Sequence, residues 1–308
     1  MKKKKNRRAS VRRRAAFARG NMDVNAALIR CALACSLFII AAGALSVSGI
    51  YGRLNAGASL LIEAALTLLC FGLPAVRGLF YADGDQSDKL FRQALGAGQL
   101  WWLSALGVLL VCPATLLRDL IASPFARMGL SASGSAAAPA FGLFMPMLVK
   151  SVLLAPVCEE LFFRGYFYAV LKEADARGAA LISALFFALV HGVDTAFASR
   201  FLMGLLLFVL MLRTKSILAP LLVHAAYNLT ILLVSFAGLG GLFSGVGFVS
   251  CMIRVPLCAA FVYALKQVYA AKGTQETLRF GRALTREEKL LLIAAGAAFL
   301  LSPLLAAA

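Results

Sequence analysis

Two carboxylates and a guanidinium stand in an otherwise lipid-like run, Pro156–Gly165, which reads P-V-C-E-E-L-F-F-R-G. They are Glu159, Glu160 and Arg164. A charged residue near the centre of a membrane helix costs roughly 2.5–3.5 kcal/mol on insertion scales, and such residues usually face protein interior or a watery cavity. The chain holds only two histidines, His191 and His224, and both also fall in apolar segments. Carboxylates and imidazoles collected in that setting point to acid–base chemistry inside a membrane.

Spacing sorts these residues. Glu160 and Arg164 are four apart, so a helix brings them to one face as an ion pair, whereas Glu159 is rotated by about 100° and points elsewhere. One carboxylate can then be held by the arginine while the other faces a reactant. Phe187 and His191 share a helix face, as do His224 and Asn228. The plainer readings are a structural ion pair for Glu160–Arg164, packing for Phe187, and interhelical hydrogen bonds for Asn228 and for a lone histidine. Cys158 reads as a small filler, because a neighbouring acid does not activate a thiol. Lys150, Glu63 and Arg254 also lie in apolar runs and either pair with one another or snorkel.

The elements that must position these side chains are membrane helices. Hydrophobic residues make up 61% of the chain and charged residues 15%, and the mean hydropathy is +0.86, which requires repeated membrane-length apolar runs. The expected fold class is all-α: a polytopic transmembrane bundle of eight or nine spans. The runs are Ala26–Ile50, Ala56–Phe80, Leu95–Leu117, Phe141–Leu171, Ala179–Val193, Arg200–Leu212, Ser216–Leu239 and Phe248–Tyr269, with residues 289–306 as a candidate ninth span. Arg118–Pro139 reads as a long external loop. The chain divides into a basic tail (1–24), three helices and a loop (25–140), a core of four helices (141–240) and C-terminal helices (241–308).

The formal net charge of +17 is concentrated at the start, where Met1–Gly20 holds ten Lys and Arg and no acid. Beside a membrane helix, such a tail marks the cytoplasmic side and meets anionic lipid, and it argues against a nucleic-acid partner. An integral membrane protein with a cytoplasmic N-terminus follows from the Lys and Arg bias. The seven cysteines, Cys31, Cys35, Cys70, Cys112, Cys158, Cys251 and Cys258, show no C-x-x-C and read as buried hydrophobes. With that topology, a rise of ~1.5 Å per residue puts Glu159 roughly 18 Å, His191 roughly 20 Å, His224 roughly 12 Å and Asn228 roughly 18 Å from the inner ends of their helices. All four can share one layer, provided the short sixth helix is a span.

E-E-x-x-x-R at Glu159–Arg164, F-x-x-x-H at Phe187–His191 and H-x-x-x-N at His224–Asn228, in this order, resemble the three motifs of the CPBP family. That family, also called Abi, groups CAAX prenyl endopeptidases with bacteriocin-processing and self-immunity proteins. The similarity covers about Met145–Asn228 and includes the R-G after the glutamates and S-I-L-A-P before His224. The resemblance implies an intramembrane endopeptidase. Glu159 would act with His224 to activate water, His191 and Asn228 would bind the oxyanion, and Glu160, Arg164 and Phe187 would support the site. It also implies a peptide or protein substrate, of which a lipidated C-terminus is one kind. It leaves two options for cofactors. Either a divalent metal such as zinc takes part, with Glu159, His191 and His224 as its ligands, or glutamate and histidine activate water alone; H-E-x-x-H is absent.

The rival class is a non-catalytic membrane protein, either a proton-coupled transporter using the same Glu and His as a relay or an immunity or partner-binding scaffold. Other intramembrane proteases compete poorly. G-x-G-D is missing, and the G-L-S-A-S-G-S of Gly129–Ser135 lies in the expected loop.

Overall fold

A backbone in lipid has no water to bond and must satisfy its N–H and C=O groups within the protein, which helices do. The structure, a computed structural model, describes residues 29–45, 48, 50–76, 93–127, 140–168, 176–244 and 248–270, and every regular element among them is helical. The principal helices are α1 (Ile29–Leu45), α2 (Ala56–Val76), α3 (Ala97–Arg127), α4 (Phe141–Tyr166), α5 (Ala176–Val190), α6 (Phe197–Thr214), α7 (Leu218–Phe236) and α8 (Phe248–Ala270).

Six of these, α2, α3, α4, α6, α7 and α8, are long and apolar enough to cross a membrane, against the eight or nine spans expected. α1 and α5 are apolar but shorter. The basic tail, the polar loop before α3, most of the expected loop after it, the turn at 169–175 and the candidate span at 289–306 lie outside the described residues.

Two boundaries differ for identifiable reasons. α3 runs ten residues beyond Leu117, into the stretch expected to be loop, because Asp119 is held there by Arg118 and by Arg254 of α8 (2.7 Å). α5 stops at Val190 instead of continuing to Val193, because Gly192 takes φ +93° and the backbone turns, a conformation that glycine adopts without a Cβ penalty. α6 is correspondingly longer than expected, Phe197–Thr214, and meets the length its membrane role needs.

Helices approach closely where one carries a small residue, the usual device of membrane packing. α3 meets α7 at Gly107, where an added Cβ would lie 2.4 Å from the Val223 carbonyl oxygen. α6 meets α5 at Gly204, where it would lie 3.0 Å from Ala184 Cα. Between α2 and α4, Gly72 faces Cys158. The charges in apolar runs are paired across helices. Lys150 of α4 bonds Glu63 of α2, while Arg254 pairs with Asp119 and not with either of them.

Candidate active site

α4 is not a uniform helix. Its turn Ala155–Glu160 is α-helical but is flanked by π-helical stretches, Leu148–Leu154 and Leu161–Tyr166. Such wider turns recur at functional sites, and here they bracket both glutamates. Arg164 is fully buried, and its charge is met on several sides. One Nη donates to Glu160 Oε1 at 2.9 Å, the other to the Gly204 carbonyl of α6 at 2.9 Å, and the guanidinium lies 4.6 Å from the Phe187 ring centroid. The ion pair expected from the four-residue spacing is present. Phe187 gives the cation an aromatic face.

His224, buried on α7, faces both glutamates. Its Nδ1 lies 2.8 Å from Glu160 Oε1 and its Nε2 lies 4.0 Å from Glu159 Oε2. The two carboxylates, a helical step apart, therefore flank one imidazole instead of serving separate places. A carboxylate only accepts, so Nδ1 is the donor in that bond.

His191 stands in the turn after α5, not in a helix. Its Nδ1 lies 2.7 Å from the Phe187 carbonyl, again an acceptor, and its Nε2 lies 3.6 Å from Glu159 Oε2. Both Nε2 atoms thus face one carboxylate oxygen. Glu159 Oε2 is buried and receives no hydrogen bond from the described residues.

Asn228 sits one turn beyond His224 on α7 and donates from Nδ2 to the Ser151 carbonyl at 2.8 Å, inside the first π stretch of α4. That bond fixes the plane of the amide and leaves its second N–H for another acceptor. His191, His224, Asn228, Phe187, Tyr227 and Arg200 are among the residues lining a cavity of about 90 Å³, larger than the ≳10–15 Å³ a water needs. The sequence-predicted residues therefore lie in one neighbourhood, with Phe187, His191, His224 and Asn228 on the cavity wall and Glu159 behind the two imidazoles, 3.6 and 4.0 Å from their Nε2 atoms and not itself on that wall.

Residues 141–230 match the family model for Rce1-like type II CAAX prenyl endopeptidases. No curated protein and no solved structure matches the chain. The Rce1-like segment spans α4 to α7 and encloses every residue of the site. Together with the six long apolar helices, this match supports an integral membrane protein.

Glu159, His191 and His224 converge, yet no group of three His, Cys, Asp or Glu among the described residues is arranged to hold a metal ion.

Arg200 and Asp194 belong to this site but carried no signal in the three motifs. Their pairing depends on the turn at Gly192, and the residues that hint at it are the V-H-G-V-D run of Val190–Asp194 and the arginine six positions after the aspartate.

Proposed function

We propose that this protein is an intramembrane endopeptidase in which Glu159 and His191 bind and deprotonate a water, while His224 and Asn228 stabilise the oxyanion. The observation that carries it is the buried Glu159 Oε2, hydrogen-bonded to none of the described residues and faced by both imidazole Nε2 atoms. The family match of residues 141–230 supports the reaction class.

Their hydrogen-bond partners support different roles for the two histidines. Glu159, Glu160 and Arg164 together leave one uncompensated negative charge, and a buried cluster is least costly when neutral. A single imidazolium supplies that balance. His224 lies between two carboxylates, whereas the Nδ1 of His191 meets only a neutral carbonyl, so we give His224 the donor role and His191 the acceptor role. His224 then presents Nε2–H as a donor, and neutral His191 presents Nε2 as an acceptor. This exchanges the roles that the resemblance alone suggested for the two rings.

A water placed between Glu159 Oε2 and His191 Nε2 donates to both and keeps a lone pair for the peptide carbonyl carbon. Glu159 takes its proton as the C–O bond forms. The carbonyl oxygen becomes an oxyanion held by His224 Nε2–H and by the free N–H of Asn228, four residues apart on one helix face. Such preorganised donors lower the barrier because they are already aimed where charge develops. When the C–N bond breaks, the proton on Glu159 passes to the leaving amine. Glu160 and Arg164 hold His224 in place throughout. The substrate is a peptide or protein segment that reaches membrane depth, and a prenylated C-terminal peptide is the first to test.

Purified protein in lipid nanodiscs, given a fluorogenic prenylated peptide and its unprenylated twin, should cleave at least one of them. Glu159→Gln should lower turnover by ~10²–10⁴, the usual size of a general-base contribution, with unchanged insertion. If the wild type cleaves neither peptide, and Glu159→Gln instead abolishes proton-coupled solute uptake in proteoliposomes, the endopeptidase assignment is wrong and the transporter is right.

A further inference from the structure

His191 stands on non-helical backbone, in the turn 191–196 that joins α5 to α6. α5 has 15 residues, so it rises about 22 Å, short of a ~30 Å hydrocarbon core. The turn after it lies between two apolar helices. Carbonyls there need donors from the protein itself.

Arg200, in the first turn of α6, supplies them. Its Nη1 donates to the His191 carbonyl at 3.0 Å and to the Gly192 carbonyl at 3.3 Å. The guanidinium also grips Asp194 with both nitrogens, at 2.9 and 3.1 Å, the fork-to-fork geometry that only arginine offers. Asp194 Oδ1 in turn accepts the Ala196 N–H at 2.8 Å and closes the turn on itself. Backbone, carboxylate and guanidinium thus form one unit around the carbonyl of His191.

We propose that the Arg200–Asp194 pair is a positioning device for His191. By holding the carbonyls of His191 and Gly192 it fixes where the ring leaves the chain, so that Nδ1 stays on the Phe187 carbonyl and Nε2 stays turned toward Glu159. Neither side chain takes part in bond making. Their effect runs through His191, and so this assignment rests on the role given to His191 above.

The chain's two histidines make the test direct, because the full-length protein labelled with ¹⁵N-histidine in nanodiscs carries only two imidazole rings. His191→Gln identifies which signals belong to which ring. In the wild type His191 should show a protonated Nδ1 and an unprotonated Nε2. In Arg200→Gln its nitrogens should move toward averaged values as both tautomers are sampled, while the His224 signals stay in place.

Turnover on the reporter peptide should fall about 10- to 100-fold with KM little changed, the scale on which a small misplacement of a reacting group lowers a rate. Asp194→Asn should be milder, since the amide oxygen still accepts from Arg200 and from the Ala196 N–H. Arg200→Lys should recover only part, because an ammonium cannot reproduce the fork. Should Arg200→Gln fail to insert, these two milder variants carry the same comparison.

Unchanged His191 signals in Asp194→Asn and Arg200→Lys, or equal disturbance of both rings, would overturn the proposal. So would a rise in KM with kcat intact. A protein that cleaves nothing but shows the ring changes would sink the endopeptidase assignment and keep the positioning role. Normal cleavage with unmoved ring signals would do the reverse.

Discussion

Glu160 shows how much one buried side chain can carry. Its Oε1 accepts from Arg164 and from His224 at 2.9 and 2.8 Å, so the same oxygen anchors the helix and sets the proton on the imidazole. The first bond was legible from spacing, because four residues along a helix is one turn. The second joins positions 64 apart, and no local pattern encodes it. If His224 and Asn228 act on one oxyanion, their removals must not be independent. Asn228→Ala should lower kcat by ~10²–10³, as loss of an oxyanion donor does elsewhere. Adding His224→Ala should then cost less than the product of the single effects, whereas His191→Ala and Asn228→Ala should multiply, since groups acting as a unit are non-additive. Turnover of the four-member mutant cycles on the reporter peptide checks this, and the opposite pattern would return the two histidines to the roles suggested by the resemblance.

At the scale of elements, the site depends on α6 lying close against α4 and α5. Gly204 makes this possible twice over: its missing side chain admits Ala184 and Phe187, and its carbonyl receives Arg164. Gly204→Ala places a Cβ 3.0 Å from Ala184 Cα and 3.2 Å from the Phe187 ring, and backbone is slow to yield. Overpacking of this kind costs typically 1–3 kcal/mol. Thermal unfolding in detergent should show the loss, and turnover should fall with it because Phe187, His191 and Arg164 all move together. An unaltered unfolding temperature would show that the helices can separate freely there. The end of α5 was the harder element to read, since F-F-A-L-V-H continues the apolar run without a break. Helix termination is decided by Gly192 and by the Arg200 contacts that reward the turn, and those contacts exist only once α6 has folded back.

For the whole molecule, paired charges join the outer helices to the core. Arg254 ties α8 to α3 through Asp119, and Lys150 ties α4 to α2 through Glu63. Removing a charge from lipid by pairing it across helices also makes those helices hard to separate. The catalytic scheme places no metal among them, which yields a prediction for the intact protein. Treatment with a divalent-metal chelator, followed by its removal, should leave turnover on the reporter peptide unchanged. A loss that zinc restores would show that Glu159, His191 and His224 regroup as ligands and that the water is metal-bound.

By itself the sequence determined that this is a helical membrane protein, because its apolar composition and run lengths admit no other backbone solution in lipid. It also determined the candidate residues, since charges and imidazoles in apolar runs are too costly to be incidental and their spacing assigns helix faces. Only the tertiary structure decided how they meet. Both carboxylates flank His224, Nδ1 of each histidine is committed to a different kind of acceptor, and a guanidinium outside every motif holds the turn that carries His191. Those outcomes depend on the approach of helices far apart in the chain and on a backbone turn that glycine permits, and side-chain periodicity within one helix contains neither.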